Sequence, residues 1–470
     1  MSIPMQNTLL LMCVMLCAHL ATAQDSLNMT LLARWDDDSL PIASPGDLNT
    51  QYSGCWGMAL DGREYAIIGG ARHVLVFDVT DPTQPRRIAQ FEGQTNTVWR
   101  EFKSYQGRFY AVSDATNEGM MILDMRQAPD TVIRTYYSNT LFSRSHTITL
   151  DTTSGRIYLN GTNVQGNGLV ILDVKTNPDN PILLSRINLD ANGAGGYVHD
   201  SYVRHDTIYA SSGFEGLYVL DCTNPDTCLP LAQYETGGYN HNSWLSADGR
   251  YLYYTEEIPQ GRPVQIVAVD DLAEGIRGAG RFLDNLLSPG DSLPKAIPHN
   301  VYIRDNLLFN SQYEDGLLVY DLTDPEKPVL IAYYDTHPQN TQYNTYFGCW
   351  GNYPWLPSGT IIASDMQNGL QLLRLTSSNA PPRPARTPFS VTITPNPATD
   401  AVHIHLTDVS AGSNARLSVF DALGRLKMRQ NIPGSTPLEL DLTDWPGGAY
   451  FLWIQNDQGA SVTRTLIVEH

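Results

Sequence analysis

Short apolar segments that end in an acidic residue recur along most of the chain. VLVFDVTDP begins at Val74 and LLVYDLTDP begins at Leu317, and each reads as a buried strand followed by an Asp-Pro turn. The copies of this strand are, in chain order, VLVFDV, MMILDM, LVILDV, LYVLDC, VQIVAV, LLVYDL and LQLLRL. They are spaced about 50 residues apart, and a period of this length built from strands predicts a propeller or a solenoid.

Turn residues divide each repeat into four strands. In the sixth repeat, Asp305-Asn306 and Asp315-Gly316 precede the strand, and a turn at Asp324-Pro325 follows it. Glycine accepts the positive φ of tight hairpins, and an Asx residue before proline favours a turn. Three turns between apolar segments predict four antiparallel strands, which make up one propeller blade.

The final repeat lacks a fourth strand, because LQLLRL runs into a proline-rich segment. The missing strand matches TLLARWDD (residues 30–37), which aligns with VLIAYYDT (residues 329–336) so that Ala33 falls on Ala332. The sequence therefore predicts an all-β protein in which residues 24–376 form a seven-bladed β-propeller closed by its N-terminal strand. Such closure removes exposed sheet edges, whereas an open solenoid would need capping repeats.

The phrases LVILDV and LLVYDLTDP resemble the LVIVD repeat of the "choice-of-anchor B" family of exported bacterial proteins. The resemblance extends over the whole predicted propeller. That family is defined by its architecture, so the resemblance implies no particular activity and transfers no catalytic residues to this chain.

The first 23 residues stand apart from the repeats. The apolar run LLLMCVMLCAHLATA ends in small residues, which predicts a secretory signal peptide cut after Ala23. The alternative is a buried or membrane-anchoring helix. No later apolar run is long enough to span a bilayer, so we expect no transmembrane segment after cleavage. Beyond the propeller, residues 377–388 form a proline-rich linker.

Residues 389–470 alternate apolar and polar positions between turns, which predicts a small immunoglobulin-like β-sandwich. This segment resembles the C-terminal sorting domain of the type IX (Por) secretion system of Bacteroidetes. The matching marks are the PNP motif at 395–397, a turn at 421–425, PGGAY at 446–450 and the apolar end LIV at 466–468. The resemblance implies that the secretion translocon is a partner and that the protein is secreted or held at the outer-membrane surface. The alternative is an ordinary sandwich used for adhesion.

Aligning the repeats places one residue per blade at the start of the innermost strand. These residues are Trp56, Arg100, His146, His199, His241, His299 and Trp350. Four consecutive blades therefore present a histidine to the central channel, and converging imidazoles are the ligands of Zn, Ni or Cu. The cofactor that this pattern allows is a divalent metal ion, and Asp200 is placed to orient His199 or to bind as well.

Two other interpretations of the histidines stay open. A repeat retains histidine where each blade needs the same structural hydrogen bond, and an acidic or amide ligand suits a mouth built from Arg100 and imidazoles. The candidate ligand-binding residues at this mouth are Trp56, Arg100, Asp200 and Trp350. The acids before the inner turns (Glu118, Glu215 and Asp315) are expected on the same face, but turn formation accounts for them. Glu256 and Glu257 are expected in a solvated loop.

Four cysteines remain once the signal peptide is removed, and an even number in an exported chain suggests disulfides. Cys222 and Cys228 flank a short turn and are predicted to form a local bridge. Cys55 and Cys349 both lie in Cys-Trp-Gly, in blades that become neighbours when the ring closes. They are predicted either to form a bridge across the closure or to remain as two buried thiols.

The net charge and a search for known motifs exclude several functional classes. With 30 basic and 49 acidic residues the net charge is −19, which repels phosphate backbones and argues against a nucleic-acid partner. No Walker, Rossmann or His-Glu-x-x-His motif is present. The leading hypothesis is a surface-displayed binding protein for a glycan, protein or other ligand, which the sequence favours over an enzyme without deciding between them. The alternatives are a metal-dependent hydrolase at the four-histidine channel and a structural or adhesion module.

Overall fold

The computed structural model describes residues 26–44, 46–163, 168–189, 196–288, 294–376, 390–407, 414–420, 426–433, 437–456 and 461–469. The predicted signal peptide, the linker and the turn at 421–425 lie outside the described residues. The chain divides into two compact units, Met1–Ser378 and Asn379–His470. All regular structure in the described residues is β-strand, so none of them forms a helix that could cross a membrane.

The strands of the N-terminal unit follow one another at short intervals. They are β1 (Ser26–Leu27), β2 (Met29–Trp35), β3 (Tyr52–Leu60), β4 (Arg63–Gly70), β5 (His73–Asp78), β6 (Arg86–Glu92), β7 (Arg100–Tyr105), β8 (Arg108–Ser113), β9 (Met120–Asp124), β10 (Ile133–Ser138), β11 (Thr147–Asp151), β12 (Arg156–Asn160), β13 (Leu169–Asp173), β14 (Ile182–Ile187), β15 (Asp200–Arg204), β16 (Thr207–Ser211), β17 (Leu217–Asp221), β18 (Leu229–Tyr234), β19 (Asn240–Leu245), β20 (Tyr251–Glu256), β21 (Val264–Ala268), β22 (Arg277–Phe282), β23 (Asn300–Arg304), β24 (Leu307–Gln312), β25 (Gly316–Asp321), β26 (Val329–Tyr334), β27 (Cys349–Tyr353), β28 (Ile361–Asp365) and β29 (Gly369–Leu375).

In the part of this unit that the structure describes, these strands form antiparallel sheets of four, which are simple meanders except for the last, where β2 supplies the fourth strand. The sheets are β3–β6, β7–β10, β11–β14, β15–β18, β19–β22, β23–β26 and β27–β29 with β2. The first strand of each sheet contacts the first strand of the next, and β27 contacts β3, so these inner strands surround one channel.

The N-terminal segment completes two sheets. Strand β2 pairs with β29 in the register Ala33↔Leu372, which corresponds to the pairing Ala332↔Val319 between β26 and β25. This is the register that the sequence alignment predicts. The short strand β1 adds a fifth strand to the preceding sheet by pairing with β26, a feature that the sequence did not indicate.

Apolar cores lie between adjacent sheets. Strands such as β9 and β13 are buried on both faces, which explains why they read as continuous apolar runs. Burying one such Leu or Ile side chain contributes about 1.5–3 kcal/mol. The turn before β9 requires Gly119, whose φ is 68° and where an added Cβ would lie 2.1 Å from the Ser138 carbonyl oxygen.

The predicted local disulfide is confirmed, and for the second pair of cysteines the structure shows the alternative of two buried thiols rather than the bridge. Cys222 and Cys228 are bonded, but Cys55 and Cys349 are free and buried. The reason is that the two thiols face different cores. Cys55 packs with Ile68 and the apolar residues between the first and last sheets, whereas Cys349 packs with Phe309 between the last two sheets.

The C-terminal unit contains two described sheets that share one apolar core. Its strands are β30 (Ser390–Thr394), β31 (Ala401–Thr407), β32 (Asn414–Phe420), β33 (Leu426–Pro433), β34 (Leu438–Asp441), β35 (Gly448–Asn456) and β36 (Ser461–Val468). One sheet has the order β30-β31-β34 and the other β33-β32-β35-β36. Asn396 of the PNP motif donates to the Thr465 carbonyl and accepts from the Ile467 amide, so the motif fixes the final strand.

Candidate functional site

Four histidines lie side by side where the inner strands begin. The histidine layer, as we call it, consists of His146, His199, His241 and His299. Neighbouring rings are 4.2–4.3 Å apart between centroids. The four belong to consecutive sheets, as the alignment predicts, and they line a cavity of ≈ 20 Å³, which is large enough for one water molecule or one ion.

Three of the histidines make the same hydrogen bond to the next sheet. Nδ1 of His199 lies 2.9 Å from the His241 carbonyl oxygen, and Nδ1 of His241 lies 3.0 Å from that of His299. Nδ1 of His299 bonds the Trp350 carbonyl in the same way. A carbonyl oxygen only accepts, so Nδ1 must carry the proton, and Nε2 of each neutral ring keeps its lone pair.

Burial keeps these rings neutral. It lowers the pKa of His199 and His241 well below the ordinary value, and the neighbouring histidines lower it further. Burial also lowers the pKa of His299 to about 3. Unprotonated Nε2 atoms are therefore present throughout the physiological pH range.

His146 differs from the other three histidines. Its Nδ1 lies 2.9 Å from Oδ2 of Asp114, while the neighbouring Thr147 hydroxyl donates to the His199 carbonyl at 3.0 Å. Burial of Asp114 would raise the pKa of its carboxyl group. The hydrogen bond to His146 and the electrostatic interaction with that ring instead hold this pKa below the ordinary value. His146 thus belongs to a carboxylate–imidazole pair, the arrangement that orients a general base.

A glutamate completes the layer, and the sequence did not identify it as part of the site. Oε2 of Glu257 lies 3.9 Å from Nε2 of His241, and its Oε1 accepts a hydrogen bond of 2.8 Å from the Tyr313 hydroxyl. One ligand atom each from His241, Glu257 and His299 lie within 4.8 Å of one another. Burial raises the pKa of Glu257. The expectation of a solvated loop is therefore wrong here, and it is also wrong for Glu256, which is fully buried.

A second polar layer lies one residue further along the inner strands. It contains Glu101 and Asp200, and Lys103 lies beyond them. Glu101 accepts a 2.8 Å hydrogen bond from the Trp350 indole, and burial raises its pKa to about 7. Asp200 accepts from the Asn242 side chain at 2.8 Å. Asp200 thus lines the cavity as predicted but does not orient His199.

Aromatic side chains close the channel beyond this layer. This aromatic floor consists of Trp56, Tyr202, Trp244, Tyr302, Tyr353 and Trp355. The Lys103 ammonium group lies 4.0 Å from the centre of the Trp56 ring. Trp56, predicted to bind ligand, therefore contributes to the floor, whereas Trp350 lines the cavity beside His299.

Arg100 starts its inner strand as the alignment predicts, but its side chain does not line the cavity. The guanidinium group is buried in an ion pair with Glu118 at 2.8 Å and also donates to the carbonyls of Gly70 and Thr95. These acceptors draw the side chain between the first two sheets. Trp99 lines the cavity in that sheet instead, next to His146.

The acids before the inner turns hold the loops that form the mouth. Glu118 accepts the amide of Gln94 at 2.8 Å, Glu215 accepts that of Gly196 at 3.0 Å, and Asp315 accepts that of Leu286 at 3.0 Å. In each case the acid fixes the loop that leads into the same sheet. Their predicted position near the mouth is correct, and their contacts explain them as loop anchors.

Aromatic side chains from three of the sheets lie at the mouth of the channel, two of them exposed and two partly buried. This aromatic rim consists of Trp99, Tyr197, Phe214 and Tyr239. Trp99 is 36% exposed and Phe214 is 70% exposed. The ring of Phe214 lies 5.1 Å from that of Tyr239, which in turn lies 5.3 Å from His199. A continuous aromatic surface therefore leads from solvent to the histidine layer.

Comparison with known proteins assigns the C-terminal unit. Residues 392–469 match the family of secretion system C-terminal sorting domains. This domain implies handling by the type IX secretion system, secretion and attachment at the cell surface. No curated protein matches the chain.

The chain is also similar to the crystal structure of the Cps50 (Swd1) β-propeller domain of Myceliophteria thermophila. The sequence identity is 9% and the TM-score is 0.48, over 73% of this chain and 98% of that one.

Proposed function

We propose that this chain is an exported cell-surface binding protein that takes a carbohydrate ligand at the mouth of a seven-bladed β-propeller. Residues 24–376 form the propeller of LVIVD-type repeats, after a signal peptide that ends at Ala23. Residues 389–470 form an immunoglobulin-like sandwich that addresses the chain to the type IX translocon. The repeated strand phrase and the continuous contacts among the inner strands support this blade count.

The observation that carries the ligand proposal is the aromatic rim beside a polar, buried centre. Sites for small ligands combine apolar and aromatic walls with a few convergent polar groups. A sugar ring presents an apolar face to an aromatic ring and hydroxyl groups to acceptors. Phe214 and Trp99 offer the first kind of contact, and Glu257 with the histidine layer offers the second. The small cavity admits no sugar ring, so the ligand lies on the rim.

The test is binding of neutral and acidic oligosaccharides to the purified protein, by calorimetry or on a glycan array. We expect Trp99→Ala and Phe214→Ala each to weaken binding about two- to tenfold, because a stacked ring contributes about 0.5–1.5 kcal/mol. Leu229→Ala is the matched control, since this leucine is 59% exposed on the outer strand β18. The proposal fails if no oligosaccharide binds or if the rim variants bind as well as the control, and a structural or adhesion module would then be favoured.

A second candidate function, metal-dependent hydrolysis, is favoured by the bond between His146 and Asp114. An imidazole held by a carboxylate is suited to accept a proton from water that attacks an ester or phosphodiester. Zn²⁺-loaded protein should then hydrolyse 4-nitrophenyl acetate or bis(4-nitrophenyl) phosphate. Asp114→Asn should lower kcat at least about 100-fold without changing metal content. Absence of turnover by the loaded wild type rejects this candidate.

A further inference from the structure

We propose that His241, His299 and Glu257 bind one divalent transition-metal ion at the mouth of the channel. The proposal rests on the proposed binding function, because the ion would contact hydroxyl oxygens of the ligand on the rim. The three ligands differ from the rim residues, so binding of the ion is measured without any carbohydrate.

The spacing of the three ligand atoms suits one ion. They lie within 4.8 Å of one another, and the pair formed by His241 Nε2 and Glu257 Oε2 is 3.9 Å apart. Metal bonds of about 2.1 Å in tetrahedral geometry bring ligand atoms to roughly 3.4 Å from each other. Closing the site therefore requires side-chain movements of about 1 Å.

The hydrogen bonds around the rings are those of a second coordination shell. Metal-bound histidines almost always donate their other ring N–H to a carbonyl or carboxylate, which fixes tautomer and orientation. His241 donates to the His299 carbonyl and His299 to the Trp350 carbonyl. The Tyr313 hydroxyl holds Glu257 in the same way. Each of the three ligands thus has a hydrogen bond that orients it before any ion binds, and only small movements are needed to close the site.

The buried carboxylate of Glu257 would also be stabilised by a bound cation. Glu257 is largely buried, and among the described residues no lysine or arginine forms an ion pair with it. A buried carboxylate without a positive partner carries a substantial desolvation penalty. A divalent ion bound by this carboxylate and two neutral imidazoles removes that penalty.

The ligand set selects the class of metal. Two imidazole nitrogens with one carboxylate oxygen suit Zn²⁺, Co²⁺, Ni²⁺ or Cu²⁺, whereas Ca²⁺ and Mg²⁺ require shells of oxygen. Three protein ligands leave one position for water or a ligand oxygen. His199 lies beside His241, at 4.2 Å between the ring centroids.

The experiment compares metal binding by full-length variants that keep the structural hydrogen bond. The chelator-treated protein is titrated with Zn²⁺ by calorimetry and with Co²⁺ by visible absorption. In His241→Asn and His299→Asn the amide N–H replaces Nδ1–H as donor, but Nε2 is lost. Glu257→Gln keeps an acceptor for Tyr313 and removes the charge. His403→Ala, at an exposed histidine of the C-terminal unit, is the control.

We expect one equivalent of Zn²⁺ in the wild type and in the control. The two asparagine variants should weaken binding about 100-fold or more, and Glu257→Gln about tenfold or more. The melting temperature of each metal-free variant shows whether it is folded. The proposal is overturned if the folded wild type binds neither ion, or if folded asparagine variants bind as the control does. The carbohydrate proposal would then be tested separately, by oligosaccharide binding of the metal-free protein and its rim variants.

Discussion

The ion pair between Arg100 and Glu118 gives a sharp test of how buried charges stabilise the second sheet. Both side chains are 3% exposed, and their two closest contacts measure 2.8 and 3.1 Å. Glu118 also accepts the amides of Gln94 and Thr95. Burial would raise the pKa of Glu118, but Arg100 and these amides hold it below the ordinary value. The carboxylate is therefore charged at neutral pH.

Replacing Glu118 by Gln keeps an acceptor for both amides but leaves the Arg100 charge buried without its partner. Removing one member of a buried ion pair costs about 3–5 kcal/mol. Replacing both members with neutral groups, as in Arg100→Met with Glu118→Gln, removes the isolated charge. The double variant should therefore be more stable than Glu118→Gln alone, which is the opposite of additive behaviour.

Urea denaturation measures these changes through the transition midpoint at constant slope. The control is Asp270→Asn, because its pair with Arg277 is exposed and surface pairs contribute about 0–1 kcal/mol. The reasoning is refuted if Glu118→Gln lies within about 1 kcal/mol of the wild type, or if Arg100→Met lowers stability further in the Glu118→Gln background.

Three further predictions concern other buried groups. Burial, with the nearby charge of Asp365, raises the pKa of Asp335 to about 6. The ionised carboxylate therefore lowers the stability of the folded protein above that pH, and this destabilisation is lost on acidification. The wild type should gain about 2 kcal/mol relative to Asp335→Asn between pH 7 and pH 4 in denaturation experiments, and a constant difference would contradict this. Burial raises the pKa of the Cys55 thiol to about 12, and Cys349 is buried as well. An aromatic disulfide reagent should therefore label neither thiol in the native protein but both after unfolding. Rapid labelling of the native protein would contradict this prediction. His199→Ala loses the hydrogen bond to the next sheet and should lower the free energy of unfolding by about 1–3 kcal/mol. His199→Asn keeps a donor and should lower it much less. Equal losses in the two variants would show that this hydrogen bond contributes little.

The fold was largely predictable because its signals are local and repeated. Apolar strands, glycine turns and Asp-Pro turns each act over a few residues, and their period shows where the sheets begin. The position of β2 followed from the same pattern, since Ala33 pairs with Leu372 as Ala332 pairs with Val319. Strand β1 was missed because two residues carry no pattern.

The site was only partly predictable, because repeat alignment gives the position of a backbone and not the direction of a side chain. The four histidines converge as aligned, but Arg100 occupies the corresponding position and turns away toward Glu118. Asp114 and Glu257 come from loops, where no repeat signal marks them. The thiols of Cys55 and Cys349 lie in neighbouring sheets yet face different cores, which the shared Cys-Trp-Gly motif does not reveal.

The architecture alone does not require histidine in this layer. The carbonyls of His199, His241, His299 and Trp350 each accept a hydrogen bond from the preceding sheet, and for His199 the donor is the Thr147 hydroxyl. A short hydroxyl is therefore sufficient, and an asparagine amide would serve equally well. What histidine adds is a second nitrogen that stays unprotonated when Nδ1 donates. Rings with this added nitrogen lie beside Glu257, a buried carboxylate without a basic partner in the described part of the chain. The unprotonated imidazole nitrogens and the carboxylate of Glu257 thus bring a surplus of acceptors together. This excess of acceptors is the physical reason why a cation would bind at the histidine layer.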